Sequence, residues 1–140
     1  MRSIILAVAV ACSTLTIGCE VFRAAPIEEG ARPEVVRAER FEKLAFAMVD
    51  QFLEWEWENR LFVDKSVIDF ADKIRDEFPP VFNSYQLARR AYKEFPTEDN
   101  LGRLSQARAV LQVIYDQILI YAPSEVEKKA EKIAPKILID

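Results

Sequence analysis

Apolar residues recur along this chain at steps of three and four over long stretches, which is the period of an amphipathic helix rather than of a strand. In the segment 34–59 one stripe is formed by Phe41, Leu44, Ala45, Met48, Phe52 and Trp55, and a second by Phe46, Val49, Leu53 and Trp57. Lys43, Ala47, Asp50, Glu54 and Glu58 mark its wetter side. The two stripes cover more than half of the circumference. A helix of this kind touches two neighbours in its own fold or offers one stripe to another molecule. The short last helix, itself amphipathic, is the expected cover for the second stripe.

The pattern continues with a helix at 65–78, capped by Asp64, with Val67, Phe70, Ala71, Ile74 and Phe78 inward. Pro79 and Pro80 are expected to end it, because a residue before proline is driven out of helical geometry. A third helix is expected at 80–95, with Val81, Tyr85, Ala88, Tyr92 and Phe95 inward and Arg89, Arg90 and Lys93 outside. Thr97 is placed to cap a fourth, with Leu101, Leu104, Ala107, Leu111, Ile114, Ile118 and Tyr121 on one side. Its second half, "VLQVIYDQILIYA", is apolar nearly all round and rich in β-branched residues, but the earlier spacing runs on unbroken and favours helix. In "SEVE", Ser124 and Glu127 match a capping box, which would open a short last helix with Val126, Ala130 and Ile133 inward. The expectation is all-α: a bundle of four main helices plus a short C-terminal helix, occupying 34–140.

The N-terminus follows a different pattern. Arg2 is followed by an uncharged apolar run, "IILAVAVACSTLTI", shorter than the roughly 20 residues a membrane-spanning helix needs. A charged start, a short apolar centre and small residues at its end describe a secretory signal peptide. Its last residues, "LTIGC", fall on Leu15, Thr16, Ile17, Gly18 and Cys19. They resemble the lipobox of bacterial lipoproteins, with Thr16 standing where Leu is usual. The resemblance covers the signal and the cysteine and not the domain that follows. It implies that the Cys19 thiol receives a diacylglyceryl group, that the chain is cut before it and that the new amine is acylated with a fatty acid such as palmitate. Two or more acyl chains, each contributing about 0.8 kcal/mol per buried CH2, anchor firmly where one does not. Residues 1–18 are then a signal peptide and 19–33 a tether, since Pro26, Gly30 and Pro33 break any period there. A flexible tether of this length spans roughly 20 Å. The resemblance places the protein in the cell envelope. Glu20 follows the cysteine where Asp tends to retain such proteins at the inner membrane, so in a Gram-negative source the expected site is the outer membrane, facing the periplasm.

Composition narrows the chemistry. The chain has 140 residues and a net charge of −4, so it presents no basic field for nucleic acid. It contains no His, which removes the usual general base and the commonest metal ligand. Its cysteines are Cys12 and Cys19, both too near the N-terminus to staple the fold. No phosphate loop or metal-ligand spacing appears. Trp55 and Trp57 lie about 200° apart on a helix and cannot share a face. Trp55 suits the core, and Trp57 suits either a second neighbour or an interaction patch with Phe46, Val49 and Leu53. Glu54 and Glu58 have the spacing of a solvated helix side. The expected function is that of a lipid-anchored, non-enzymatic envelope protein, without cofactor or metal, which binds or recruits another protein at the membrane surface in an assembly, pilotin-like or exclusion-type role. The alternative is an envelope enzyme acting on peptidoglycan with carboxylates alone.

Overall fold

The computed structural model describes residues 32–134. Within them the chain forms four helices and no strand: α1 (Pro33–Asn59), α2 (Lys65–Glu94), α3 (Glu98–Tyr121) and α4 (Ser124–Ile133). The connections are short, so successive helices run antiparallel. α1 packs against each of the other three, and α2 also packs along α3. α1 is therefore the central element, which accounts for its two apolar stripes.

The largest departure from the sequence expectation is in α2. The helices expected at 65–78 and 80–95 are one continuous helix that carries Pro79 and Pro80 in its interior. The bundle accordingly has three long helices and a short one. A proline in a helix removes a hydrogen bond and costs about 3 kcal/mol. Here both prolines are exposed, so water can reach the carbonyls they leave unpaired. On the inner side, Phe78 and Phe82 stack across the proline pair with centroids 5.0 Å apart, and Phe46 of α1 packs on both, at 6.4 and 5.5 Å. Packing on both flanks of the break outweighs the local preference to stop.

The core is built from the expected apolar positions, with Met48, Phe52, Ala71, Tyr85, Leu111, Ile118 and Ala130 fully buried. Tyr85 donates its hydroxyl to the Ala38 carbonyl of α1 at 2.9 Å, and its ring meets Phe41 edge-on at 5.9 Å. Ala47, expected on the wet side, is buried, because neighbours surround α1. Arg89, expected outside, reaches back to α1 instead, bonding Glu42 at 2.6 Å and Glu39 at 2.9 Å. Phe95 and Ile133, expected inward, are exposed, and so are Leu101 and Tyr121 on the apolar side of α3. Helix ends also differ in detail. Thr97 caps α3 as expected, accepting the Asn100 N–H at 3.2 Å. Asp64 holds the N-cap position of α2 without a side-chain bond. At α4 the cap is Pro123, whose φ of −69° sets the entry, and Ser124 is already helical, so the capping box does not form.

Burial raises the ionisation of two tyrosines above the ordinary 10.0. For Tyr85, loss of water is the leading cause, ahead of the neighbouring charges. Tyr115 is raised first by loss of water and then by Glu127, Glu131 and Asp116. Its hydroxyl is buried and has no hydrogen-bond partner among the described residues. Above pH 10 the unfolded chain releases tyrosine protons that the folded chain retains, so stability falls as pH rises. Urea unfolding followed from pH 8 to 11.5 is expected to show this decline, and Tyr85→Phe is expected to flatten it. A stability that rises above pH 10 contradicts the assignment.

Candidate functional site

The end of α1 and the turn that follows it carry three strongly exposed large apolar residues, two of them the most exposed among the described residues. Trp57 is 70% exposed, Phe62 86% and Leu61 91%. Water contact at this level costs free energy for each side chain, and three such residues on one short stretch form a patch rather than a scatter.

This apolar tip stands on a rigid base. Glu56, one residue before Trp57, is completely buried. Its carboxylate accepts from Arg60 Nη1 at 2.9 Å and from Arg75 Nη2 of α2 at 2.5 Å. Both guanidinium groups also reach Asp72, Arg60 Nη2 at 3.1 Å and Arg75 Nη1 at 2.7 Å. Two acids and two arginines thus close a ring that joins the end of α1 to the first turns of α2. Hydrogen bonding from Arg60 holds the Asp72 carboxyl below its ordinary 3.8. The turn itself is fixed by Asn59, whose carbonyl accepts the Phe62 N–H at 2.7 Å and the Val63 N–H at 3.1 Å. The Asn59 side chain donates back to the Trp55 carbonyl at 2.9 Å. Arg60 also lies over the Trp57 ring, 5.9 Å from its centroid. The backbone under Leu61 and Phe62 is held in place while their side chains face outward.

The second sequence stripe is divided by the fold. Val49 is buried, and Phe46 and Leu53 are half-buried against the core. Phe46 packs on Phe78 and Phe82 of α2. Trp57 alone of the four is open. The structure joins it instead to Leu61 and Phe62, which the sequence reading left within a connection. The available signal was the run Leu61-Phe62-Val63 in a stretch between helices, where polar residues are the rule. Glu56 carried a weaker cue, an arginine four residues on.

Cys19, the signal peptide and the tether as far as residue 31 lie outside the described residues, and Pro33, expected to be the last tether residue, is the first of α1. Among the described residues there is no cluster of His, Cys, Asp and Glu able to hold a metal ion, and no helix long and apolar enough to cross a membrane. Glu54 and Glu58 are both exposed, and Glu54 accepts from Gln51 at 3.1 Å. No protein family matches the chain, and no curated protein or solved structure is detectably similar to it.

Proposed function

We propose that the protein is a lipid-anchored, non-enzymatic envelope protein, held to a membrane through Cys19, that recruits another protein through the tip formed by Trp57, Leu61 and Phe62. The observation that carries this reading is the position of the tip. The chain enters α1 at Pro33, and the tip lies beyond the opposite end of that helix. The 27 residues of α1 at ~1.5 Å each separate the two by roughly 40 Å. A tether attached at one pole presents the other pole away from the lipid. Exposed Trp and Phe on a fixed backbone are suited to be binding anchors, since they bury large areas and lose little conformational freedom. The lipobox-like "LTIGC" and the absence of His from the sequence support the anchored and non-catalytic parts of the reading. In a Gram-negative cell the sequence favours the outer membrane, facing the periplasm.

Two variants test the two halves. Cys19→Ser is expected to abolish incorporation of labelled palmitate and leave an unprocessed precursor; undiminished labelling excludes Cys19 as the anchor. The triple variant Trp57→Ala, Leu61→Ala, Phe62→Ala is expected to be anchored and folded, with a melting temperature within about 2 °C of the original, because such exposed residues contribute little to packing. It is expected to lose a protein that co-purifies with the unmodified chain from its own membranes. Retention of that protein by the triple variant removes the tip from the account.

A further inference from the structure

The pole of the bundle opposite the tip has an apolar feature that the core does not take up. Arg89 of α2 bonds Glu39 of α1 at 2.9 Å, Lys93 lies 3.6 Å from the same acid, and Arg108 of α3 sits 4.9 Å over the Phe41 ring. The connection between α2 and α3 is therefore level with the start of α1. At its apex stand Phe95, 65% exposed, and Pro96, also exposed, with Leu101 open on the first turn of α3. An aromatic ring held in water costs free energy that burial would recover.

The backbone of this turn is already satisfied from within. The Phe95 N–H donates to the Ala91 carbonyl at 2.8 Å, and the Phe95 carbonyl accepts from the Thr97 N–H at 2.9 Å and from the Asn100 amide at 2.7 Å. Pro96 has no N–H to satisfy, and the Thr97 carbonyl accepts the Leu101 N–H at 3.0 Å. Such a turn gives up few hydrogen bonds to water on entering a lipid headgroup layer, where an unpaired polar group is costly. The ring gains by leaving water at the depth that amphipathic segments reach.

Charge distinguishes the two poles. With each long helix divided at its midpoint, residues 32–46 and 79–108 carry nine Lys and Arg against six Asp and Glu, a net +3. Residues 47–78 and 109–121 carry four against ten, a net −6. An anionic surface therefore draws the Phe95 pole and repels the tip. Glu94, Glu98 and Asp99 share the Phe95 pole with Arg32, Lys93 and Arg103, so the charges choose which end faces the surface and the apolar turn makes the contact.

The occupant follows from the attachment, a step that rests on the anchored reading above. Residues 20–32, between Cys19 and Pro33, span roughly 20 Å and lead into α1 at the Phe95 pole. At that range the effective concentration of lipid lets a single weak contact hold. We infer that the turn at Phe95 and Pro96, with Leu101, rests in the headgroup layer of an anionic phospholipid bilayer. This second contact sets the bundle upright on its anchor and points Trp57, Leu61 and Phe62 away from the lipid.

The test uses the full lipidated chain in vesicles of phosphatidylethanolamine and phosphatidylglycerol, with and without a nitroxide-labelled lipid that quenches tryptophan at headgroup depth. Phe95→Trp places a reporter in the turn, and Ile120→Trp places one at an exposed position near the other pole. The emission added by Phe95→Trp is expected to be quenched at least twofold. The emission added by Ile120→Trp, like that of the native Trp55 and Trp57, is expected to change by less than a tenth. In vesicles of phosphatidylcholine alone the quenching at position 95 is expected to fall by at least half. Equal quenching at positions 95 and 120 overturns the inference, as does quenching that anionic lipid leaves unaltered. So does a blue-shifted but unquenched emission from position 95, which marks burial against protein. Flotation of the vesicles reports the anchor separately. A chain that fails to float refutes attachment through Cys19 and this contact with it, whereas a floating chain whose Phe95→Trp emission is unquenched refutes the contact alone.

Discussion

Removing both arginines around Glu56, as Arg60→Ala with Arg75→Ala, is expected to lower the unfolding free energy by about 3–5 kcal/mol. Glu56 is fully buried, and these two guanidinium groups are the partners its oxygens have in the structure, at 2.9 and 2.5 Å. Without them a carboxylate sits in the core uncompensated. The arginines themselves are about one-third exposed, so the loss comes from stranding the acid and not from the ion pairs as such. Adding Glu56→Leu to the double variant is therefore expected to recover much of the lost stability, because a neutral side chain of similar size has no charge to strand. Chemical denaturation of the three chains checks both statements. A double variant as stable as the original, or a triple variant less stable than the double, contradicts this view of the ring.

Phe52→Ala is expected to cost about as much, roughly 3–5 kcal/mol, through a different mechanism. Phe52 is completely buried on α1. Its ring lies 5.6 Å from Phe70 of α2 and 6.2 Å from Trp55. Deleting it opens a cavity that three packed helices can only partly close. A domain of this size holds about 5–15 kcal/mol in all, so thermal unfolding is expected to shift by many degrees. A shift of less than about 2 °C would show that Phe52 is not a core residue.

The helical character of the chain was legible from spacing alone, as were the start of α1, the Thr97 cap and most of the core, because each rests on a local rule that the fold obeys. The places where sequence reasoning failed are those where a distant contact decides. Pro79 and Pro80 should end a helix, and nothing near them in sequence reveals that Phe46, more than thirty positions earlier, clamps Phe78 and Phe82 across the break. Arg89 belongs to a polar helix face by its neighbours, and it turns inward because Glu39 and Glu42 wait on α1. Glu56 lies between two tryptophans in a run of alternating acids; its burial follows from Arg75 on another helix. The candidate site was half visible. Trp57 stood out by its residue type, and the fold separated it from Phe46, Val49 and Leu53, which α1's neighbours cover, and set it beside Leu61 and Phe62. These two escaped notice because periodicity is informative within helices and silent in the turns between them.

The central claim is that the Trp57, Leu61 and Phe62 tip holds another protein at a membrane surface. It is tested most directly by placing a photo-reactive benzoylphenylalanine at Leu61 of the full chain in its own membranes. Leu61 is almost fully exposed, so the replacement disturbs no packing. Irradiation is expected to yield one dominant cross-link to a different protein, and that product is expected to vanish when Trp57→Ala and Phe62→Ala are added. A scatter of weak products that the two substitutions leave unchanged, or no product at all, would contradict a docking role for the tip.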